Sequence, residues 1–383
     1  MTYSIADAKR AAEERIRQHE QGLLTLSHRI HANPELGFEE HRASAWIADE
    51  LRRGGFEVEH GCYDLPTAVR AMIGRGPVHV AICAEYDALP DIGHACGHNI
   101  IAAAGVGAAL GLADSADSLG LTVTLLGTPA EEGGGGKILM LERGAFDGIH
   151  AAMMVHPAAV EMAAMPGTAV SQFDVAYTGT PAHAGAYPES GVNAADAMLI
   201  AQVAIGQLRQ QTRGADRIHG IVTDAGTAVN VIPDRAAGRW IVRSDTAESL
   251  EALTARVKRC FEAGALATGC ELSITSSGPD YADLRPDAAL LASYRANAES
   301  LGRTFPALPA AMVGAATDMG NVSHVVPTIH PMLGLNCMPA ANHQPEFADA
   351  CIGKEADRAV LDGAIAMAWT AIDFAAQQSA SSR

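Results

Sequence analysis

Three apolar segments of this chain each run directly into side chains that can bind a metal ion. The segments span residues 78–84, 121–127 and 150–155. The side chains that follow them are carboxylates, a thiol and imidazoles: Glu85, Asp87, His94, Cys96, His98, Glu131, Glu132 and His156. Parallel strands that lie side by side bring such residues to one edge of the sheet, where open α/β proteins bind their ligands. Carboxylate, thiolate and neutral imidazole are metal ligands, so the pattern predicts a metal site in a hydrolase.

Taken singly, these residues have ordinary structural interpretations. A histidine at a strand end, such as His156, is often a hydrogen-bonded core residue, and Glu131 with Glu132 can form a solvated or helix-capping edge. Cys96 can fill apolar space as a small side chain. Three predicted strands are each followed by possible metal ligands, and one of these sets, at 94–98, has a thiol and two imidazoles within five residues. This combination favours metal chemistry.

Two competing chemistries can be compared with the spacing. The glycine run 133–137 resembles a phosphate-binding loop, but that motif requires a glycine and a hydroxyl residue where this chain has Glu131 and Ile138. A nucleophilic Cys96 with His98 as its base is the other alternative. The sequence places no third group to orient that histidine, and it leaves the paired glutamates without a role.

Composition and charge restrict the partners. The chain has 383 residues and a net charge of −17, which argues against nucleic acid or an anionic membrane as a partner. The longest apolar run, 100–113, is shorter than the ~18 residues that span a bilayer, and we expect a buried helix there. Seven scattered cysteines and an N-terminus without an apolar signal core predict a cytoplasmic protein.

The order of predicted elements indicates an α/β fold with two domains. Strands are predicted at 56–60, 67–73, 78–85, 172–177, 218–223, 235–243 and 271–276. Helices are predicted at 4–32, 40–53, 98–113, 192–211, 247–266, 287–301 and 352–376. The alternation before residue 168 predicts a mainly parallel sheet. The strand-helix-strand-strand-helix-strand order after it predicts a ferredoxin-like domain at 169–278, inserted into a catalytic domain made of 1–168 and 279–383.

The inserted domain carries its own candidate site residues. His183 follows the first strand in a loop, and Asn230 lies in Val-Asn-Val-Ile-Pro. Arg243 ends a half-buried strand, where an arginine can bind a carboxylate through two parallel hydrogen bonds. A surface salt bridge for Arg243 and a loop hydrogen bond for His183 are equally consistent with the sequence.

The motifs together resemble the zinc-dependent aminoacylase and carboxypeptidase-type metallopeptidases. The resemblance is carried by Asn-Pro-Glu-Leu-Gly-Phe-Glu-Glu, Gly-His-Ala-Cys-Gly-His, Pro-Ala-Glu-Glu and Val-His, at 33–40, 93–98, 129–132 and 155–156, and by His183. It covers nearly the whole chain and points to the amidohydrolase branch, which includes hippurate and indoleacetyl-amino-acid hydrolases. The wording is most similar to β-alanyl-lysine dipeptidase-like and aminobenzoyl-glutamate hydrolase-like members.

This resemblance implies two divalent metal ions, Zn or else Mn, Co or Ni. The ligands that it implies are Cys96, His98, Glu132, His156 and His343. His330 and His324 are weaker alternatives to His343 as the distal ligand. Cys96 stands where many relatives outside this branch carry a bridging aspartate. Glu85 and Asp87 occupy the place of a ligating His-x-Asp pair, and we expect them to support the ligands rather than to bind the ions.

The resemblance also implies a mechanism and an assembly. Glu131 would act as general base, and His183 from the partner subunit would stabilise the oxyanion. Asn230 and Arg243 would bind the terminal carboxylate of the substrate. We therefore expect a homodimer, joined through the inserted domain, that hydrolyses a small N-acyl amino acid or dipeptide. The alternatives are hydrolysis of a different small amide or carbamoyl compound, and a metal- or ligand-binding relative without catalysis.

Overall fold

The computed structural model describes residues 4–306 and 315–381. They form two compact units, the larger built from residues up to Pro166 and from Leu284 onwards, and the smaller from Gly167–Asp283 with residues 315 and 316. The smaller unit is thus wider than the predicted 169–278. Its extension past 278 has a structural cause, because Val170 and Tyr281 exchange two backbone hydrogen bonds of 2.9 Å.

Helices and strands alternate through the described residues. The helices are α1 Ile5–Gln18, α2 Glu20–His31, α3 His41–Arg53, α4 His98–Ala113, α5 Gly136–Glu142, α6 Ala194–Leu208, α7 Ala247–Thr268, α8 Ala288–Ser300, α9 Met319–Ser323, α10 Pro345–Ala350 and α11 Lys354–Ser381. The strands are β1 Glu57–His60, β2 Val69–Ile73, β3 Val78–Glu85, β4 Leu121–Thr128, β5 Ala151–Met153, β6 His156–Ala158, β7 Ala169–Thr178, β8 Arg217–Asp224, β9 Arg235–Ser244, β10 Glu271–Ser276, β11 Thr328–Ile329 and β12 Met332–Gly334.

The larger unit contains a mixed six-stranded sheet in the order β1-β2-β4-β3-β5-β11. β3 is parallel to both β4 and β5, and β11 is parallel to β5, so the predicted parallel sheet holds for these four strands. β1 and β2 are antiparallel to their neighbours. For the β1–β2 pair the reason is the short connection between the two strands, since a parallel pair needs a crossover of a dozen or more residues.

Helix α4 forms the centre of the larger unit and packs against α11. Its many small residues permit this closeness: a Cβ added at Gly107 would lie 2.9 Å from the Cβ of Ala364. α11 has the length and apolar composition of a membrane span, and 83% of its most apolar window is buried inside the structure. The predicted helix at 4–32 is two helices, because His19 leaves helical geometry at φ −93° and ψ 0°.

The smaller unit has the predicted element order. Its four strands are antiparallel and lie in the order β10-β7-β9-β8, so β8 is an edge strand. α6 and α7 pack on the sheet around a separate apolar core. In this core the Phe261 ring lies 5.1 Å from the Trp240 ring and 6.2 Å from the Phe173 ring, measured between centroids.

We predict that Phe261→Ala destabilises the smaller unit by about 3–5 kcal/mol, because it removes a fully buried ring and leaves a cavity. Urea unfolding measures this change by fluorescence when Trp46 and Trp369 are replaced by Phe in all compared proteins, so that the signal comes from Trp240. Leu266→Ala is the control, since Leu266 lies on the same helix and is 88% exposed. An equal loss of stability in both variants would contradict the described core.

Candidate metal centre

The three strand ends predicted to meet do meet. β3 lies between β4 and β5 and is parallel to both, so the residues that follow these strands emerge at the same edge of the sheet. Glu85 is the last residue of β3, Glu131 and Glu132 follow β4, and His156 follows β5. Cys96 and His98 enter the same region at the start of α4.

Glycine 97 shapes the loop that carries Cys96 and His98. It adopts a left-handed conformation with φ 76° at the N-terminus of α4. A Cβ at this position would lie 2.3 Å from Cγ of Pro157 and 3.0 Å from Sγ of Cys351. Only glycine fits both the backbone conformation and the space, and this turn places the thiol and the imidazole on either side of residue 97.

A second turn separates the paired glutamates from β4. Ala130 has φ 54°, and its N–H donates to Oε1 of buried Glu40 at 2.8 Å. Oε2 of Glu40 accepts a hydrogen bond from the Thr67 hydroxyl at 2.8 Å. Glu40 closes the 33–40 motif of the sequence, and its structural role is to hold the turn that directs Glu131 and Glu132 into the site.

Two groups of donor atoms share the Cys96 thiol. Cys96, His98 and His156 form one group, and Cys96, Glu132 and His343 form the other; within each group the donor atoms lie within 4.8 Å of one another. Sγ of Cys96 lies 3.6 Å from Nε2 of His156 and 3.5 Å from Nε2 of His343. An ion in either group would therefore have the Cys96 sulfur among its donors.

These spacings fit two divalent ions. Ligands at 2.0–2.3 Å around a tetrahedral ion lie roughly 3.4–3.6 Å from one another. The Glu132 Oε1–His343 Nε2 distance is 3.4 Å, and the two distances from the Cys96 sulfur have similar values. In addition, the buried atoms His98 Nε2 and Glu132 Oε1 make no hydrogen bond among the described residues. An ion would satisfy both of them, so the donor set fits the implied metals.

Asp87 orients two of the donors. Its Oδ1 lies 3.0 Å from Nδ1 of His98, and its Oδ2 accepts the Glu132 N–H at 2.9 Å. Nδ1 of His156 is similarly bound, 2.8 Å from the carbonyl of Pro157. A histidine whose Nδ1–H is held in this way presents Nε2 to the ion, which is the usual arrangement behind a metal-binding histidine.

The electrostatics of the site separate the two adjacent glutamates. Burial raises the pKa of Glu131 well above its usual value, and the nearby Glu85 and Glu132 carboxylates raise it further. Burial acts in the same direction on Glu132, but His343 and His98 outweigh it and lower the pKa of that carboxyl. Glu132 is therefore suited to bind a cation as an anion, while Glu131 is suited to accept a proton.

Burial also sets the state of two other donors, His156 and Cys96. It lowers the pKa of His156 to about 4, so this imidazole is neutral and free to bind a metal. It raises the pKa of the Cys96 thiol well above the usual value, and Glu132 raises it further. The thiol is thus protonated in the protein alone, and an ion would have to displace this proton.

The structure favours His343 among the three candidate distal histidines. The metal-competent groups of the described residues include His343 and neither His330 nor His324. His330 is buried against His156, with a ring-centroid distance of 5.4 Å. His324 directly follows α9.

The candidate residues of the smaller unit do not come together within one chain. His183 and Asn230 are exposed neighbours, since the Ala184 N–H donates to the carbonyl of Asn230 at 3.0 Å. Arg243 is half-buried near the far end of β9. The strand from Arg235 to Arg243 alone spans about 26 Å, and Asn230 lies beyond its start. Asn230 and Arg243 of one chain therefore cannot bind the same carboxylate.

Sequence reasoning missed one buried group. In the sequence, Lys137 stands out only as the last residue of a run that resembles a phosphate loop. In the structure its ammonium is fully buried between the carboxylates of Glu85 and Asp318. The local signal was weak, since a single lysine beside a glycine run is ordinary on a surface. Asp318 lies 181 residues away in sequence.

Comparison with known proteins identifies the family of the chain. The sequence model of peptidase family M20/M25/M40 matches residues 81–359. Xaa-Arg dipeptidase from Mus musculus is 40% identical, with 95% of this chain and 88% of the relative covered. One of the p-aminobenzoyl-glutamate hydrolase subunits of Escherichia coli (strain K12) is 29% identical, with 68% of this chain and 58% of the relative covered.

Solved structures agree on the fold. A putative aminohydrolase from methicillin-resistant Staphylococcus aureus has a TM-score of 0.79 at 22% identity, with 96% of this chain and 99% of that chain covered. A dinuclear metal binding peptidase of the M20 family from Bacillus subtilis has a TM-score of 0.71 at 23% identity, with 94% and 99% covered.

We predict that Gly97→Ala lowers the metal content of the purified protein. The added Cβ would collide with Pro157, and the loop that carries Cys96 and His98 would have to shift. The left-handed conformation alone costs about 1–2 kcal/mol with a side chain. Elemental analysis after dialysis measures the ions per chain. Gly148→Ala is the control, since Gly148 has φ 72° with nothing within 4 Å of an added Cβ. Equal metal content in both variants would show that the loop does not position the donors.

Proposed function

The chain belongs to peptidase family M20/M25/M40, and from this premise we propose that it is a metal-dependent hydrolase of dipeptides with a basic C-terminal residue. The reaction class follows from the family. The choice of dipeptide is supported by the 40% identity to an Xaa-Arg dipeptidase across nearly the whole chain. Small N-acyl amino acids are the next class to test, as a relative named for aminobenzoyl-glutamate is more distant.

One observation favours a hydrolase over a protein that only binds metal. Four candidate ligands, His98, Glu132, His156 and His343, converge on the Cys96 thiol, and an additional buried carboxylate, Glu131, lies next to them in sequence and in space. A site that only binds metal has no need of this extra carboxylate. A site that hydrolyses an amide needs a group that moves a proton from water to the leaving amine.

The residues of the chain have distinct roles in this chemistry. When bound, the two ions would lower the pKa of a water molecule and polarise the scissile carbonyl. Cys96, His98, Glu132, His156 and His343 would hold the ions, of which zinc is the first expectation for a thiolate and imidazole set. Glu131 accepts a proton from the attacking water on a carboxylate oxygen and then donates it to the amine nitrogen that leaves. Its burial keeps bulk water from competing for that proton.

The smaller unit is proposed to act as a ferredoxin-like lid and dimerisation domain. Among the described residues the edge strand β8 pairs with a strand on one side only, which favours pairing with a second copy on the other. Three large apolar side chains of the smaller unit are also exposed: Leu199 and Val203 on one face of α6, at 58% and 57%, and Ile221 of β8, at 62%. Covering them with a second copy would remove this apolar surface from water.

Such a homodimer would resolve the separation of the substrate-binding candidates. His183 and Asn230 lie at one end of the β7–β9 pair, and Arg243 lies towards the other. In the proposed dimer, His183 and Asn230 of one subunit reach the substrate held by the partner, while Arg243 acts on the substrate of its own subunit. The oxyanion and the terminal carboxylate are then bound from two chains.

We also propose a cytoplasmic location. None of the seven cysteines, all within the described residues, forms a disulfide, and several of them are buried. Free thiols of this number are typical of a reducing compartment.

We predict that Glu131→Gln abolishes turnover without removing the ions, because it deletes the proton acceptor and keeps the side-chain volume. The loss of kcat should reach about 10²–10⁴-fold. Rates are measured on Xaa-Arg and Xaa-Lys dipeptides, β-alanyl-lysine, aminobenzoyl-glutamate, N-acetyl amino acids and a carbamoyl amino acid. Glu57→Gln, at an exposed position of β1, is the control.

The substrate panel also decides between the functional alternatives. Turnover of dipeptides with a basic second residue is the expected result. Turnover restricted to the carbamoyl compound would favour the other amide chemistry. A wild-type protein that holds two ions and hydrolyses none of the compounds would contradict an enzyme of this type.

We predict that His183 acts across the dimer, which subunit mixing can measure. Glu131→Gln and His183→Ala chains are each expected to be inactive alone. In a mixed dimer, one site combines the intact Glu131 of one chain with the intact His183 of the other. Co-expressed, differently tagged chains should therefore regain activity in the mixed species. An inactive mixed dimer would show that His183 serves its own chain or none.

A further inference from the structure

A buried lysine connects the metal centre to a distant acidic residue. The Lys137 side chain is fully buried at the start of α5. Its ammonium contacts Oε1 of Glu85 and lies 2.7 Å from Oδ1 of Asp318, while its backbone N–H donates to Oδ2 of Asp318 at 2.8 Å. Asp318 thus fixes both the backbone and the side chain of Lys137. The lysine in turn fixes one oxygen of Glu85.

The other oxygen of Glu85 faces the metal centre. Oε2 is buried and has no hydrogen-bond partner among the described residues. Water cannot replace that partner, because Glu85 is completely inaccessible to solvent. Oε2 lies 3.5 Å from Nε2 of His98, which also lacks a hydrogen bond there. This ion pair leaves both buried atoms without a hydrogen bond, and each such atom in a native structure calls for a physical explanation.

The spacing of these two atoms provides one. Two ligands of the same tetrahedral zinc ion lie roughly 3.4 Å apart when one is nitrogen and the other oxygen. The distance from Glu85 to His98 therefore has the value found between the other donors, such as Glu132 and His343 at 3.4 Å. Glu85, His98 and Glu131 also form a group whose donor atoms lie within 4.8 Å of one another.

We propose that Glu85 is an additional ligand of the ion at His98 and that Lys137 is the positioning residue that directs it there. Lys137 occupies Oε1, so Oε2 is the oxygen left to meet the ion. This proposal differs from the expectation from the sequence, in which Glu85 only supports the ligands. Asp87 keeps the supporting role, since both of its oxygens are already used by His98 and Glu132.

A purely structural role explains less of the arrangement. Burying an ammonium with two carboxylates costs several kcal/mol of desolvation per ion, and apolar replacements of such clusters are often neutral or stabilising. As a counter-ion for Lys137 alone, Glu85 would need only one oxygen near the ammonium. Its second oxygen would then be expected to accept a hydrogen bond from another donor.

The inference rests on the metal centre of the proposed function but not on its substrate. The test is therefore metal binding: the affinity of each ion by chelator competition, and the visible absorption of the Co²⁺-loaded protein. The Co²⁺ bands change when the number or geometry of ligands changes. Glu85→Gln is expected to weaken one of the two ions by more than about 100-fold, beyond the loss typical of a supporting residue, and to change the Co²⁺ spectrum.

Two further variants separate ligation from charge balance. Glu85→Asp keeps the negative charge beside Lys137 but withdraws the carboxylate, so it should still weaken the same ion in a folded protein. Asp362→Asn is the matched control, because it removes a buried carboxylate from an ion pair with Arg303 that involves neither Lys137 nor any of the metal donors. It should keep both ions and the wild-type spectrum. Circular dichroism of the metal-free variants confirms the fold.

The outcomes are distinct. Wild-type metal affinity and spectrum in Glu85→Gln would overturn the inference and leave the proposed function intact. Wild-type behaviour in Glu85→Asp would also overturn it, because charge alone would then be sufficient. A wild-type protein that binds no Co²⁺ or Zn²⁺ would overturn both the inference and the metal centre.

Discussion

The structure depends on the concentration of ionisable groups at one buried edge of the parallel strands. Within the described residues, the carboxylates of Glu85, Asp87, Glu132 and Asp318 converge there, and Lys137 is the lysine or arginine buried among them. One ammonium cannot balance this much negative charge in a region with little water. Divalent cations can, and they also satisfy the donor atoms that make no hydrogen bond. Bound metal ions would therefore also lower the electrostatic cost of this buried edge.

The sheet explains how a chain of separate segments builds such a site. β3 has β4 and β5 as parallel neighbours, so three loops leave the sheet in the same direction. Two unusual backbone positions, at Gly97 and Ala130, then turn the donors towards one another. The apolar helix α4 and the long helix α11 cover the sheet and supply the buried surroundings in which the pKa of Glu131 rises and that of His156 falls.

The sequence was sufficient for those features that are local or periodic. Apolar runs followed by donors marked the strand ends, and the element order of the smaller unit was readable from alternation and helical spacing. Features that depend on distant contacts were not readable. The antiparallel edge formed by β1 and β2 depends on a short connection, and the break at His19 leaves no obvious mark. The pairing of Lys137 with Asp318 joins positions 181 residues apart. The separation of Asn230 from Arg243 depends on the extended strand β9, which lies between them.

We propose that the Cys96 thiolate would be shared by two metal ions. X-ray absorption spectroscopy of the protein loaded with two zinc ions per chain tests it most directly. The account predicts one sulfur shared by two ions, seen as a sulfur neighbour of each zinc at roughly 2.3 Å, and a metal–metal distance of about 3.5–4 Å. A spectrum without sulfur, or with no metal–metal contribution, would contradict the bridged centre.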